Sequence, residues 1–271
     1  MFECVINISE GQRLDVLDAL SGAAGGSLRD RHSDAVHNRS VFTLIHDRDE
    51  LRRDVHALAV ATMNTLDLRA HVGVHPRFGV LDVVPYVALD EARTDQAVAL
   101  RDETAAWLAT TFEIPVFLYG PLGDGTTRSL PDVRRGAFRT LKPDWGPASP
   151  DVKSGASAVG ARGLLVAWNL WVRGITLDDG KAIAKAVRRV EVRALALPVR
   201  EFTQISCNLI APLLVGPSTI YDQVRGLLAS GVIDHAELVG LIPEALLRAE
   251  DPARWEQLDL SYEKTIEARL L

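Results

Sequence analysis

The chain has 271 residues, 47% of them apolar and 24% charged, which excludes a disordered or fibrous polypeptide and allows one large domain or two modest ones with ample core. A formal net charge of -6 supplies no global basic field, so nucleic acid and membrane surfaces are excluded as partners. Cys4 and Cys207 are only two and far apart, no signal-like N-terminus precedes the first strand, and no apolar run reaches about 18 residues; a soluble, cytoplasmic protein is expected.

In chain order, Phe2 to Ser9 reads as a strand, Gln12 to Leu20 as a helix with Leu14, Val16, Leu17 and Leu20 inward, and Ser21 to Gly26 as a turn. Leu28 to His37 is polar and irregular, and Ser40 to Ile45 is a strand. Leu51, Val55, Leu58, Ala59, Thr62 and Leu66 recur at helical spacing behind Asp49 as the cap. Val80 to Val87 is a strand whose Pro85 suggests an end or edge. Thr94 to Thr111 is a helix with Val98, Ala105, Leu108 and Ala109 inward, and Ile114 to Leu118 a short strand. Tyr119 to Ser157, rich in Gly, Pro and Ser, has at most a short helix at Pro131 to Phe138 and reads as a linker or a functional segment.

Beyond it, Leu164 to Val172 is a strand and Asp178 to Val190 a helix with Ile183, Ala186, Val187 and Val190 inward. Val192 to Val199 and Phe202 to Ile210 are paired strands, Ser218 to Ala229 a helix and Val232 to Leu238 a strand, with a last short helix near Pro243. The order βαββαβ is that of the ferredoxin-like unit. The first half fits the same order, followed by an extra helix and strand. The expected fold is α+β, two tandem ferredoxin-like subdomains, residues 1–160 and 161–271, with a substrate cleft between them.

His71 to Asp82, His-Val-Gly-Val-His-Pro-Arg-Phe-Gly-Val-Leu-Asp, joins a helix to a strand. His71 and His75 sit four apart, as helical metal-binding pairs do. Gly73 is a poor helix former, however, and Pro76 biases His75 towards extended backbone. The stretch reads instead as a loop holding His75 at a fixed angle ahead of a strand.

The flanking motifs fall in a shared order along nearly the whole chain. They are Cys4-Val-Ile-Asn-Ile-Ser-Glu-Gly11, Asn38-Arg39-Ser-Val-Phe-Thr43, Gly73-Val-His75-Pro-Arg77-Phe-Gly79-Val-Leu-Asp82 and Pro115-Val-Phe-Leu-Tyr-Gly120. Gly146-Pro147, Gly155 to Arg162, Val166-Ala-Trp-Asn169, Gln204 to Leu209 and Val239 to Pro243 continue the series. Together they resemble the formiminotransferase family, whose best-known member is the folate-dependent enzyme of histidine breakdown. The resemblance does not extend to a cyclodeaminase domain. It implies transfer of a formimino group from formiminoglutamate to tetrahydrofolate, a co-substrate, with no metal and no tightly bound cofactor.

By that resemblance His75 is the catalytic residue. A histidine of near-neutral pKa can take a proton from the attacking amine and return it to the departing one. Arg39 and Arg77 are candidates for gripping substrate carboxylates. Asn7 and Asn208, amides in apolar strands, are candidate ligand contacts. The connection Gly146, Pro147, Lys153, Ser154 and Gly155 corresponds to the family's folate-binding segment, and Gly155 to Gly160 begins a loop whose backbone amides meet a ligand or serve a turn. His32, Asp34, His37, His71 and Asp82 are supporting residues. Three positions depart from the family: Val74 stands where it has Glu, His32 where it has Asp, and Pro150 to Gly155 is less apolar. The alternatives are a same-fold transferase using another formimino or formyl donor, a non-catalytic small-molecule binder, and a metal-dependent hydrolase using His32, Asp34 and His37 with His71 or His75. Partners are small molecules, and a homodimer is compatible with the sequence.

Overall fold

The computed structural model describes residues 1–271, which divide into two compact units, Met1–Gly163 and Leu164–Leu271. The fold is α+β with one sheet in each unit. No helix is long and apolar enough to cross a membrane.

The N-terminal unit runs β1 (Phe2–Ile8), α1 (Leu14–Ala23), β2 (Leu28–Asp34), β3 (Arg39–His46), α2 (Arg48–Thr65), β4 (Leu81–Ala88), α3 (Thr94–Phe112), β5 (Val116–Pro121), β6 (Thr127–Arg128), α4 (Leu130–Gly136) and β7 (Ser157–Ala161). Its sheet has the order β2-β3-β1-β4-β7-β5-β6. Period-two alternation sends Cys4, Ile6 and Ile8 of β1 into the core against Leu17, Leu20, Leu51, Val55 and Leu58 of the helices. Glu3, Val5 and Asn7 take the other face. That second face carries a smaller core where Val133 and Ala137 of the α4 segment pack on Val83, Phe117, Tyr119 and Ala158.

Several expectations are corrected. Leu28–Asp34 is not irregular: it is edge strand β2, polar because an edge strand with one wet face needs no apolar run. Asp47, rather than Asp49, caps α2, its side chain accepting from the Glu50 amide. Pro85 lies in a central strand. It pairs with Gly160 of β7, while the β1–β4 ladder keeps one register from Cys4–Tyr86 to Asn7–Val83 but has no pair at Val5, opposite Pro85. Tyr119 to Ser157 is no linker, since it holds the end of β5, β6 and the capped helix α4. Leu14, assigned inward in α1, is exposed. Ser157–Ala161 is a buried strand running parallel between β4 and β5. Its small residues conceal it, yet they are needed: a Cβ on Gly160 would stand 2.1 Å from the Tyr119 ring.

The C-terminal unit runs β8 (Val166–Arg173), α5 (Leu177–Val187), β9 (Val192–Val199), β10 (Phe202–Leu209), α6 (Pro217–Leu227), β11 (Val232–Val239), α7 (Glu244–Ala249) and α8 (Ile266–Leu270). Its sheet, ordered β11-β8-β10-β9, is antiparallel throughout. Trp168, Leu170, Val172, Ile205 and Cys207 point to the helices α5 and α6, where Ile183, Ala184, Ile220 and Val224 meet them. α5 ends at Val187, three residues early. Val190 is therefore 89% exposed rather than inward, and Ala186 also faces out while Ala184 is buried.

Candidate active site

α2 ends at a buried Leu66, and the chain crosses an irregular stretch, His71 to Gly79, before β4. This loop is held by its own side chains. The Arg77 guanidinium donates to His71 Nδ1, to the Gly73 carbonyl at 2.7 Å and to the His75 carbonyl at 2.9 Å. Because Arg77 can only donate, His71 Nδ1 is an acceptor, and its Nε2–H donates to the Asn38 carbonyl at 2.9 Å. Both nitrogens of His71 are thus occupied and the ring is neutral, in line with burial lowering its pKa. Asn38, in left-handed backbone at φ 47, accepts from the Gly11 amide at 2.9 Å and donates to the Val72 carbonyl at 2.8 Å. Gly73 is required here, since a Cβ would meet the His37 carbonyl at 2.3 Å.

His75 is placed differently. Its Nδ1 lies 2.6 Å from the Pro76 carbonyl, which can only accept, so the neutral ring carries its proton on Nδ1 and its lone pair on Nε2. His37 packs edge-on at 5.9 Å between ring centroids. Residues His71 to Arg77 line a shallow cavity, open to the surface, of about 410 Å³. Burial, then the nearby Arg39 and Arg134 cations opposed by the Pro76 carbonyl and Asp82, push the His75 pKa down to about 3. The imidazole is a free base at neutral pH.

Beside it lies a charged cluster made by a bulge. β1 pairs Asn7 with Val83 and then Ile8 with Leu81, so Asp82 has no counterpart and is turned out of the ladder. Its Oδ1 accepts from the Phe78 amide at 2.6 Å; its Oδ2 accepts from Arg39 Nη1 at 2.5 Å and Arg134 Nη2 at 2.7 Å. Arg39 Nη2 also donates to Asn7 Oδ1 at 2.8 Å. Burial alone would raise the Asp82 carboxyl, but the two guanidiniums outweigh it and hold the pKa at about 2. The cluster has two positive charges on one negative charge.

A formiminotransferase domain, N-terminal subdomain, is the family model that matches, over residues 1–162. The chain is 34% identical over 232 residues to the glutamate formimidoyltransferase of Streptococcus pyogenes serotype M1, covering 77% of each chain. It is 33% identical over 272 residues to that of Thermoplasma acidophilum, covering 91% of this chain and 89% of the relative. This chain belongs to the formiminotransferase family. A formimidoyltransferase-cyclodeaminase of Sus scrofa is 30% identical over 278 residues, and the chain spans 51% of its length.

In this formiminotransferase-family chain the structure gathers Asn7, Arg39, His71, His75, Arg77 and Asp82 in one neighbourhood. His32 and Asp34 face Val41 and Arg39 across the β2–β3 pairing, hence on the same sheet face as Arg39. Asp34 accepts from the Val36 and His37 amides, shaping the turn that presents His37. No group of three or more His, Cys, Asp and Glu side chains is arranged to hold a metal ion.

The segment Lys153 to Gly155 braces the His75 loop from behind. The Lys153 carbonyl accepts from the Leu68 amide and the Ser154 carbonyl from the Val80 amide, while the Ala156 amide donates to the Phe78 carbonyl. Its other amides are spent internally, Lys153 and Ser154 on the Asp151 carboxylate and Gly155 on the Asp151 carbonyl. Of the two readings of Gly155 to Gly160, the turn fits its first residue. Gly155, at φ 74, allows close approach to Phe78, and the rest is strand. Gly146, at φ 79, packs on the Ile114 carbonyl, where Trp145 pairs with Val116; Pro147 follows it, exposed. Asn208 lies exposed on β10 of the C-terminal unit. Sequence reasoning missed Arg134, and it quoted Asn38 within a motif without giving it a role. The signal for Arg134 was the start of α4, Ser129-Leu-Pro-Asp132, a capping box with Pro inside the first turn.

Proposed function

We propose that this chain transfers a formimino group from formiminoglutamate to tetrahydrofolate, with His75 as the general acid/base. The names of its relatives support the reaction. The observation that carries the mechanism is the His75 ring, with Nδ1–H fixed on the Pro76 carbonyl and an unprotonated Nε2 beside an open depression of about 410 Å³. The folate amine attacks the amidine carbon and a C–N bond forms. Nε2 takes the proton released by that nitrogen. The tetrahedral intermediate then expels glutamate as its C–N bond breaks, and the imidazolium returns the proton to the departing nitrogen. Pro76 restricts the loop, so little orientation is lost on binding.

The remaining assignments belong to the same proposal. Asn7, Arg39 and Asp82 frame the donor, His32, Asp34, His37 and His71 line or support the site, and Lys153 to Gly155 hold the loop in register. Arg77, committed to His71, Gly73 and His75, keeps the loop's shape rather than gripping a carboxylate. Gly146, Pro147 and Asn208 remain folate-contact assignments by family correspondence. Each unit is read as ferredoxin-like: β1, β3, β2 and β4 take the same βαββαβ order and neighbour relations as β8, β10, β9 and β11, with β5 to β7 added beyond β4.

Turnover of formiminoglutamate and tetrahydrofolate, followed by formation of formiminotetrahydrofolate, tests the reaction; absence of turnover in folded protein that binds folate removes it. One observation favours a second reading. Val74, 42% exposed in the cavity wall, puts an apolar group beside His75, which suits a donor other than formiminoglutamate. A panel of formimino and formyl donors separates the two.

A further inference from the structure

Three guanidiniums lie in the neighbourhood of His75, and they differ in what they still have to offer. Arg77 is used up within its loop. Arg39 is only 12% exposed and bonds through both terminal nitrogens, to Asp82 and Asn7. Arg134 is 25% exposed and is recorded in a single bond, from Nη2 to Asp82. An arginine carries five N–H donors in a planar fork, and only one of this one's is spent on Asp82, on a side chain that stays partly exposed. Asp82 cannot absorb them. Its Oδ2 already serves two cations and its Oδ1 serves the Phe78 amide. The cluster therefore keeps one positive charge in excess, and Arg134 is its accessible end.

The helix that carries Arg134 is fixed. Ser129 and Asp132 close a capping box around its first turn, and Val133 and Ala137 are buried against the sheet. Phe138 then packs on Phe117 at 5.0 Å and on Phe78 at 6.0 Å, tying this segment to the strand entry that follows His75. A rigid, partly exposed guanidinium that is paired through one nitrogen only is the arrangement that takes up a carboxylate.

We propose that Arg134 docks a carboxylate of the amino-acid portion of a substrate beside His75, completing the row Asp82, Arg134, ligand carboxylate in alternating charge. The name of that substrate rests on the transfer reading above. Both the formimino donor and the glutamate tail of a folate carry such a carboxylate, and the two sources respond differently to the same variant.

The test compares wild type with Arg134→Gln and Arg134→Lys, all checked by thermal melts. L-Glutamate is titrated calorimetrically into each. The expected result is about ten- to hundredfold weaker glutamate binding in R134Q, the loss of one charge-assisted hydrogen bond, with part of the affinity restored in R134K. In turnover, KM for formiminoglutamate should rise by a similar factor while kcat stays within about threefold. A rise confined to KM for tetrahydrofolate, absent with a folate analogue lacking the glutamate tail, assigns the same carboxylate role to the tail. Unchanged glutamate affinity together with unchanged KM for both substrates overturns the proposal, as does a fall in kcat alone. If wild type shows no turnover, the transfer reading fails, yet glutamate titration still decides the role of Arg134.

Discussion

The two histidines of one loop make different uses of the same ring. His71 has both nitrogens engaged, one on the Asn38 carbonyl and one on Arg77, and works as a bracket between the turn ahead of β3 and the loop. His75 spends only Nδ1, on the carbonyl of the next residue, and keeps Nε2 as a lone pair. The identity of the residue does not separate them; the number of nitrogens left over does. Accounting for each ring nitrogen thus distinguishes a structural histidine from a reactive one where sequence spacing could not.

Replacing His75 by Ala should produce the largest change. Loss of a positioned acid/base costs about 10²- to 10⁴-fold in kcat, read in the turnover assay, with little change in denaturant midpoint. Full activity in this variant would end the distinction between the rings. Asp82→Asn attacks the support of the site. It leaves Arg39 and Arg134 facing each other with no anion, which should cost about 3–5 kcal/mol in urea unfolding, as removal of one partner from a buried ion cluster does. Next comes His71→Ala, which strands the Asn38 carbonyl and an Arg77 N–H. We expect about 1–3 kcal/mol of destabilisation and a kcat loss far smaller than that of His75→Ala.

The smallest effect is on pH dependence. His75 is lowered from 6.5 to about 3 by burial and then by Arg39, so between those values the unfolded chain binds a proton that the folded chain refuses. Stability should therefore rise with pH across this window, and the gain is complete above about 6.5. Unfolding at pH 5 and pH 7 should differ less in His75→Gln than in wild type. Asp82 does not disturb the comparison, because its lowered pKa affects stability only below its ordinary value of 3.8.

Much of this was legible in the sequence wherever burial and period agreed. Leu51, Val55, Leu58, Ala59, Thr62 and Leu66 all turn inward as their spacing requires, and the six elements from β8 to β11 follow the expected order. Gly73 and Pro76 were sufficient to reject a helical histidine pair. What failed was structure whose residues are chosen by neighbours distant in the chain. β2 is polar because it closes an edge, and β7 is made of small residues because Tyr119 fills the space over Gly160. Arg134 lies in a stretch rich in Gly, Pro and charge, and only the sheet reveals that it meets Asp82, 52 positions earlier.

The brace behind the His75 loop also dictates when the site can exist. Ser157 donates to the Leu81 carbonyl across 76 positions, and β7 must slide between β4 and β5 as their shared parallel neighbour. Such distant closures come late, because the loop entropy is spent before the contacts are gained. On the ribosome, β1 to β4 emerge before Ala161, so the His75 loop has only its own Arg77 and His71 bonds until the Lys153–Ser154 brace and β7 arrive. Completion of the brace is therefore expected late in N-terminal folding, and a chain cut short before Lys153 should keep the sequence motif while losing the backbone bonds that fix its far side.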